Sequence, residues 1–372
     1  MPAVLLLLIV STIWGCDKNG NSDTSNGADT LYPPETQAEK VLRSDLNHPW
    51  EILWGKDNHI WMTERQGKVS KINPADGRTV FSYTIPDVVS RGEGGLLGMV
   101  QDPRFVDNGF LYVVYNYENN GRYSEKVVKF TFSSNQLSDP QILIDNIPAS
   151  NIHNGSRLWI TDDAQPYLFI STGDAASSGN AQQLNSLSGK ILRIRTDGSI
   201  PPDNPFSSGP VWSLGHRNPQ GLVMVNGKLY NAEHGPSVED EVNSVEKGRN
   251  YGWPEVNGPC NGSEEIFCNT NNIAEPIWST GNSTFALSGM DYYSSTRIPQ
   301  WNQSLLVASL KNETLYVVPL SEDGLSAGTV KTYFTGKYGR LRDVCVSPQG
   351  VVFICTSNGG GDDQLIQVSK AQ

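Results

Sequence analysis

From Trp50 onward, short runs of alternating apolar and polar residues recur, separated by turn residues. Trp50-Glu51-Ile52-Leu53 is followed by the turn pair Asp57-Asn58, by Ile60-Trp61-Met62-Thr63, and by Lys68-Val69-Ser70-Lys71-Ile72. Successive side chains of a strand point to opposite faces, so this string predicts a meander of antiparallel strands. Comparable units are expected over residues 98–132, 157–194, 221–243, 288–320 and 342–368, and the last repeats the first almost feature for feature. A sheet of this size cannot cover both of its faces alone, whereas sheets stacked radially cover one another. About six units in this length predict an all-β, six-bladed β-propeller of four-stranded antiparallel sheets. A large sandwich or jelly roll would not produce the recurring unit. In a propeller the loops gather at one mouth of the central channel, which makes that mouth the expected ligand site.

The composition agrees with this pattern and narrows the ligands. The chain has 372 residues and 37% hydrophobic content, enough for a large core, with 36 Gly, 22 Pro, 9 Trp and 14 Tyr for many turns and aromatic-rich strands. A formal net charge of −11 excludes the basic stripe of a nucleic-acid binder, so a neutral or small polar ligand is expected.

The first residues read as a targeting segment. An apolar run over residues 4–10 leads to Gly15 and Cys16, the small residue and cysteine of a lipoprotein processing site, although no basic residue precedes the run. The expected organisation is a lipoprotein-type signal over 1–16, a flexible polar tether over 17–40 and one propeller domain over 41–372. Export to the periplasm or cell surface follows, with membrane contact only through a lipid on Cys16; a cleaved signal with an incidental Cys is the alternative. The run is too short to span a bilayer. Cys260 and Cys268 flank a turn-rich loop that a local disulfide would pin in an oxidising compartment, while Cys345 and Cys355 are read either as a pair or as buried thiols. No C-x-x-C or haem-attachment spacing occurs, which disfavours zinc and a built-in haem.

Four strings carry chemistry. Gly215-His216-Arg217-Asn218-Pro219-Gln220-Gly221 packs a cation, an amide and a potential base between glycines. In Glu233-His234-Gly235-Pro236, followed by Glu239-Asp240-Glu241, a Gly-Pro turn exposes main-chain carbonyls close to carboxylates, a set of hard oxygens suited to calcium. In Ile152-His153-Asn154-Gly155 and Ser171-Thr172-Gly173-Asp174, the intervening strands bring Asp174 back toward His153. A carboxylate on one imidazole nitrogen fixes the tautomer that leaves the other free to accept a proton.

Together the strings GEGGLLGM (92–99), HNGSRL (153–158), STGD (171–174), GHRNPQG (215–221), EHGPS (233–237), EDEVN (239–243) and GRNYGWPEV (248–256) resemble, in order and spacing, the soluble glucose and aldose sugar dehydrogenases, the glucose/sorbosone dehydrogenase family. The resemblance runs from about residue 41 to the end. It implies a six-bladed propeller that carries pyrroloquinoline quinone and calcium and oxidises aldose sugars at the anomeric carbon to lactones. His153 matches the base that removes the sugar's hydroxyl proton as hydride passes to the quinone, Asp174 matches the residue that orients it, and Arg217 matches the cation beside the reactive quinone carbonyl. Asn218, Lys311, Arg340 and Arg342 match positions that hold the quinone and its carboxylates, with Thr284 as a further cofactor neighbour. The carbonyls of Gly235 and Pro236 match ligands of the cofactor's calcium, and Glu241 and Tyr251 match the region of a second, structural calcium.

The chain also departs from the family. Glu93 stands where the family places a Gln touching sugar and base, and Asn282 and Ser283 precede Thr284 where an aromatic residue is expected. The compact length resembles the aldose branch, which implies a more open cleft and a monomer. An external acceptor, a quinone or a cytochrome, is implied for the electrons. Two other readings are weaker: a calcium-binding propeller without redox activity that binds carbohydrate or a partner protein, which Glu93 supports, and a calcium-dependent lactonase, which leaves the basic set unexplained. A nicotinamide enzyme is disfavoured because Gly92-Glu93-Gly94 opens no strand-to-helix phosphate turn.

Overall fold

The computed structural model describes residues 38–206 and 209–370, so the leader, Cys16 and most of the tether lie outside the described residues. Each recurring unit supplies the inner strands of one antiparallel, four-stranded sheet, and six such sheets are present. From the innermost strand outward, the first blade is Pro49–Trp54, Ile60–Glu64, Lys68–Ile72 and Thr79–Thr84. The second is Leu96–Gln101, Phe110–Asn119, Arg122–Ser133 and Gln136–Pro148, and the third is Gly155–Ile160, Tyr167–Thr172, Lys190–Arg195 and Val211–Leu214. The fourth is Pro219–Val225, Lys228–Glu233, Glu241–Val245 and Trp278–Ser279, and the fifth is Leu287–Tyr293, Ser304–Ser309, Leu315–Pro319 and Lys331–Tyr333. The sixth joins Leu341–Val346, Val352–Thr356 and Asp363–Val368 to the first strand of the chain, Glu39–Leu46. That strand pairs Glu39 with Val368 and Leu46 with Asp363, and it begins two residues inside the stretch expected to be tether.

The apolar core lies between blades. One cluster joins Trp61 and Phe81 of the first blade to Leu111 and Val128 of the second, and another joins Leu168 and Leu192 of the third to Tyr112 and Val127 of the second. The remaining interfaces follow suit, including Ile52 and Met62 against Phe353 and Leu365, where the sixth blade meets the first. Each innermost strand packs against those of both neighbouring blades, and this closes the ring. Cys260 and Cys268 form a disulfide with Cα atoms 6.3 Å apart, whereas Cys345 and Cys355 are buried free thiols.

Across the axis, Arg157 of the third blade reaches Glu51 of the first at 2.6 Å and Asp343 of the sixth at 2.9 Å. Its Nε donates to the Gln220 carbonyl of the fourth blade at 2.7 Å, and its guanidinium lies 4.2 Å from the centre of the Trp50 ring. Asp343 also accepts the Ile52 N–H at 2.7 Å. In the fifth blade a Cβ on Gly289 would fall 1.7 Å from Asp343 Oδ1, so the ion cluster needs glycine there. Truncating one member of such a buried set leaves an uncompensated charge, at a cost of about 3–5 kcal/mol. Arg157→Met is therefore expected to lower unfolding free energy by about that amount in urea titration.

Glu125 is buried without a cation, bonded to Ser156 Oγ and Asn116 Nδ2, and burial pushes its carboxyl up to about 8. The folded state therefore binds this proton more tightly than the unfolded state, for which about 4.5 applies. Its stabilising contribution is present in full below pH about 4.5 and is lost as pH rises toward about 8. Glu125→Gln should flatten the fall of stability across that window. Some slope should remain, because burial also raises Asp291 to about 7 and, with Glu233 beside it, Glu241 to about 8.

Candidate active site

In antiparallel blades the start of the innermost strand and the end of the second strand lie at the same end of the channel. Glu93, His153, Asn218, Thr284 and Arg340 immediately precede innermost strands, while Asp174, His234 and Lys311 follow second strands. Motifs far apart in sequence thus converge on one mouth.

His153 and Asp174 are brought together by glycine. The strands carrying them pair Gly155 with Thr172, and Gly173 donates its N–H to the Asn154 carbonyl. A Cβ on Gly173 would lie 1.9 Å from the His153 carbonyl oxygen, and one on Gly155 would lie 2.6 Å from the Gly173 nitrogen. Main chain can touch main chain here only without side chains. His153 itself has φ 60°, a left-handed conformation that costs energy for a residue with a Cβ. Its Nδ1 lies 2.9 Å from Asp174 Oδ1 and its N–H donates to Glu93 Oε2 at 3.1 Å. A carboxylate only accepts, so the imidazole proton sits on Nδ1 and Nε2 carries the lone pair. Asp174 is buried, and it also accepts the Ala176 N–H at 2.8 Å and the Trp253 indole N–H at 2.9 Å.

Arg217 lies over the Trp253 ring at 5.3 Å and donates to the His234 carbonyl at 3.1 Å. Asn218 is fully buried; its Oδ1 accepts the Gly155 N–H at 3.1 Å, and its Nδ2 lies 3.4 Å from His234 Nδ1. Arg342 is buried against Gln220 Oε1 at 2.7 Å and Ser288 Oγ at 3.2 Å, while Arg340 and Lys311 are exposed at the rim. Burial, together with Arg65 and Arg340 nearby, lowers Arg342 to about 9. Burial and the cations Arg342 and Arg217 hold His234 down at about 3, so its ring is neutral. The Nε atoms of Arg65, Arg217 and Arg342 and the Nε2 of His234 are enclosed without a hydrogen-bond partner. A mouth so rich in cations and short of acceptors fits a polyanionic ligand, and forked guanidinium groups suit its carboxylates.

The Gly235-Pro236 turn is held by Asp240, which accepts the N–H groups of Gly235 (2.9 Å), Phe285 (2.7 Å) and Leu287 (3.2 Å) and the Thr284 hydroxyl (2.7 Å). No hydrogen bond among the described residues ends on the Gly235 or Pro236 carbonyl, so two hard oxygens are available to a cation. Thr284 thus spends its hydroxyl proton on this loop. Among the described residues no cluster of three or more acidic, His or Cys side chains has metal-binding geometry, and a cation at this turn would depend on main-chain oxygens and its own ligand. Glu241 accepts from Gly258 N–H at 2.8 Å and Asn243 Nδ2 at 3.0 Å, and lines a small pocket with Glu233, Glu239 and Tyr251. The Tyr251 hydroxyl is turned away from it, donating to the Ser244 carbonyl at 2.6 Å.

His216, read as a potential base, is instead built into the wall. It is fully buried between Glu233 Oε1 and Ser213 Oγ, each at 2.9 Å, and stacks on Tyr251 at 4.6 Å. Two residues at the mouth carry no sequence signal of their own. Arg65 donates to the Gly92 carbonyl at 2.6 Å and stands among Glu93, Tyr123 and Arg340. Its signal is positional: it follows a second strand, as His234 does. Trp253 is the other, hidden inside a string whose glycines draw attention first.

The glucose/sorbosone dehydrogenase family model matches residues 46–367. Aldose sugar dehydrogenase YliI of Escherichia coli is 32% identical over 358 residues, covering 90% of this chain and 94% of that protein. Quinoprotein glucose dehydrogenase B of Acinetobacter calcoaceticus is 36% identical over 264 residues, covering 62% of this chain and 55% of that protein. Among solved structures, the PQQ-bound aldose sugar dehydrogenase of Streptomyces coelicolor superposes with a TM-score of 0.77 at 30% identity, covering 89% of this chain and 97% of that one. The fold and site thus define a propeller oxidoreductase. The chain belongs to the glucose/sorbosone dehydrogenase family.

Asp240 is the clamp of the Gly235-Pro236 turn, and Asp240→Asn would turn one of its acceptor oxygens into a donor facing donors. Hydrogen–deuterium exchange at Gly235, Phe285 and Leu287 is expected to accelerate at least about tenfold, with exchange in the first blade unchanged.

Proposed function

We propose that this protein oxidises aldose sugars at the anomeric carbon to lactones, with pyrroloquinoline quinone and calcium bound at the channel mouth. The observation that carries the reading is the His153–Asp174 pair at 2.9 Å beside guanidinium groups whose enclosed Nε atoms lack acceptors. The bound quinone would supply the hydride acceptor. Arg342, Arg340, Lys311 and Asn218 would hold it, with Arg65 as an additional cation, and the free carbonyls of Gly235 and Pro236 would hold the calcium. Glu241, with the main chain at Tyr251, would take the second calcium.

The chain's own residues do the proton work. His153 Nε2 takes the proton of the anomeric hydroxyl, and Asp174 stabilises the imidazolium that results. Arg217, stacked on Trp253, sets a fixed positive charge where negative charge develops. Glu93 holds the His153 main chain through its Oε2. The electrons would pass on to an external quinone or cytochrome. We further propose that it acts as a monomer in the periplasm or at the cell surface, anchored through Cys16 if lipidated.

Purified apoprotein assayed by dye-linked oxidation of an aldose panel should gain activity only when calcium and pyrroloquinoline quinone are both added. His153→Ala should bind the quinone, seen by its absorbance, and lose about 10²–10⁴-fold in turnover. Undiminished turnover in that variant, or failure of the wild type to bind the quinone, would overturn the proposal.

A further inference from the structure

Asp174 presents two oxygens, and they have different partners. Oδ1 faces His153 Nδ1 at 2.9 Å, and Oδ2 accepts the Trp253 indole N–H at 2.9 Å. The same indole carries the Arg217 guanidinium on its face at 5.3 Å. One side chain therefore touches both the partner of the expected base and the expected electrophilic cation.

The position of Trp253 is itself fixed by main-chain bonds. Its N–H donates to the Gly215 carbonyl at 3.0 Å, and its carbonyl accepts Gln182 Nε2 at 2.7 Å. Gln182 is locked in turn by Asn250: its Nε2 donates to Asn250 Oδ1 at 3.0 Å and its Oε1 accepts from Asn250 Nδ2 at 2.7 Å. This amide pair ties the loop after Asp174 to the loop bearing Trp253. A shift of either loop would break a bond to the other.

We infer that Trp253 is a positioning residue, whose indole N–H aims Asp174 at His153 Nδ1 and so holds His153 in the tautomer with Nε2 open to substrate. A buried carboxylate with one oxygen left unsatisfied rotates or recruits water to recover the bond. Rotation draws Oδ1, which also accepts the Ala176 N–H at 2.8 Å, off His153 Nδ1, whereas a recruited water leaves the pair in place and the tautomer unchanged. The other polar groups facing the pair, Glu93, Arg217 and His234, are engaged elsewhere: Glu93 accepts the His153 main-chain N–H, Arg217 donates to the His234 carbonyl, and His234 Nδ1 faces Asn218.

This inference rests on the dehydrogenase reading only for its kinetic part, so the test has two arms. In the first, two-dimensional ¹⁵N NMR of the apoprotein reads the tautomer of His153, assigned by comparison with His153→Ala. Wild type should show a single Nδ1–H tautomer. Trp253→Phe, which keeps an aromatic face for Arg217 but loses the N–H, should show both tautomers. In the second arm, with calcium and pyrroloquinoline quinone bound, the same variant should lose about ten- to a hundredfold in kcat, with KM changed less than about threefold.

Should Trp253→Phe fail to fold, β-(3-benzothienyl)alanine at position 253 has the shape of the indole with sulfur in place of N–H and is expected to give the same two results. An unchanged tautomer in a folded variant overturns the positioning role whatever the enzyme does. A mixed tautomer with unchanged kcat overturns its importance to turnover. A wild type with one tautomer but no sugar oxidation keeps the role of Trp253 and removes the proposed reaction instead.

Discussion

A single guanidinium in the central channel ties the third blade to the first, the fourth and the sixth. Arg157 bonds Glu51, Asp343 and the carbonyl of Gln220, three contacts on three other blades, and rests on Trp50. Radial sheets can slide along one another, because their interfaces are apolar and non-directional. Charge-assisted hydrogen bonds are directional, and they fix the height of each innermost strand relative to the next. The mouth inherits that register, since its residues either precede those strands, as His153 and Asn218 do, or follow the second strands paired to them, as Asp174 and His234 do.

The mouth stores two kinds of unfavourable energy. One is conformational: His153, Ser156, Ala175 and Ala176 all have positive φ without being glycine. The other is electrostatic: Arg65, Arg340 and Arg342 are crowded together, and burial with like-charge neighbours depresses Arg342 to about 9. The ring of blades is rigid enough to hold both. A ligand that supplies negative charge and acceptors relieves the second, so the same residues that burden the free protein favour the loaded one.

The sequence is most legible where half-buried strands alternate and least where strands are exposed or very short. Lys68–Ile72 is legible because Val69 and Ile72 pack into the two neighbouring interfaces while Lys68 and Lys71 stay partly exposed. Lys331–Tyr333 and Trp278–Ser279 have three and two residues, and Gln136–Pro148 is mostly exposed, so burial imposes no pattern on these outer strands. At the site, His153 and Asp174 are legible because each lies within two residues of a glycine that the close approach requires. His216 misleads, because residue type reveals its chemistry but not that it points into the wall between Glu233 and Ser213. Arg65 and Trp253 are silent for the opposite reason: common residues at unremarkable places, made significant only by what the ring brings beside them.

The pairing of Glu39–Leu46 with Asp363–Val368 has a bearing on how the molecule is made. The sixth blade is assembled from segments more than 300 residues apart, so it cannot be completed until Val368 is available. Five blades can form from neighbours in sequence as they emerge, but the Arg157 cluster must wait for Asp343, and the ring must wait for Val368. The entropy of closing so long a loop grows only as the logarithm of its length, so the delay costs little in final stability and is felt instead in the rate. Until the seam is zipped, the faces of the first and sixth blades that bury Ile52, Met62, Phe353 and Leu365 are exposed. Such an intermediate is open to self-association, and a cell producing this protein would have to keep it dilute or chaperoned until closure.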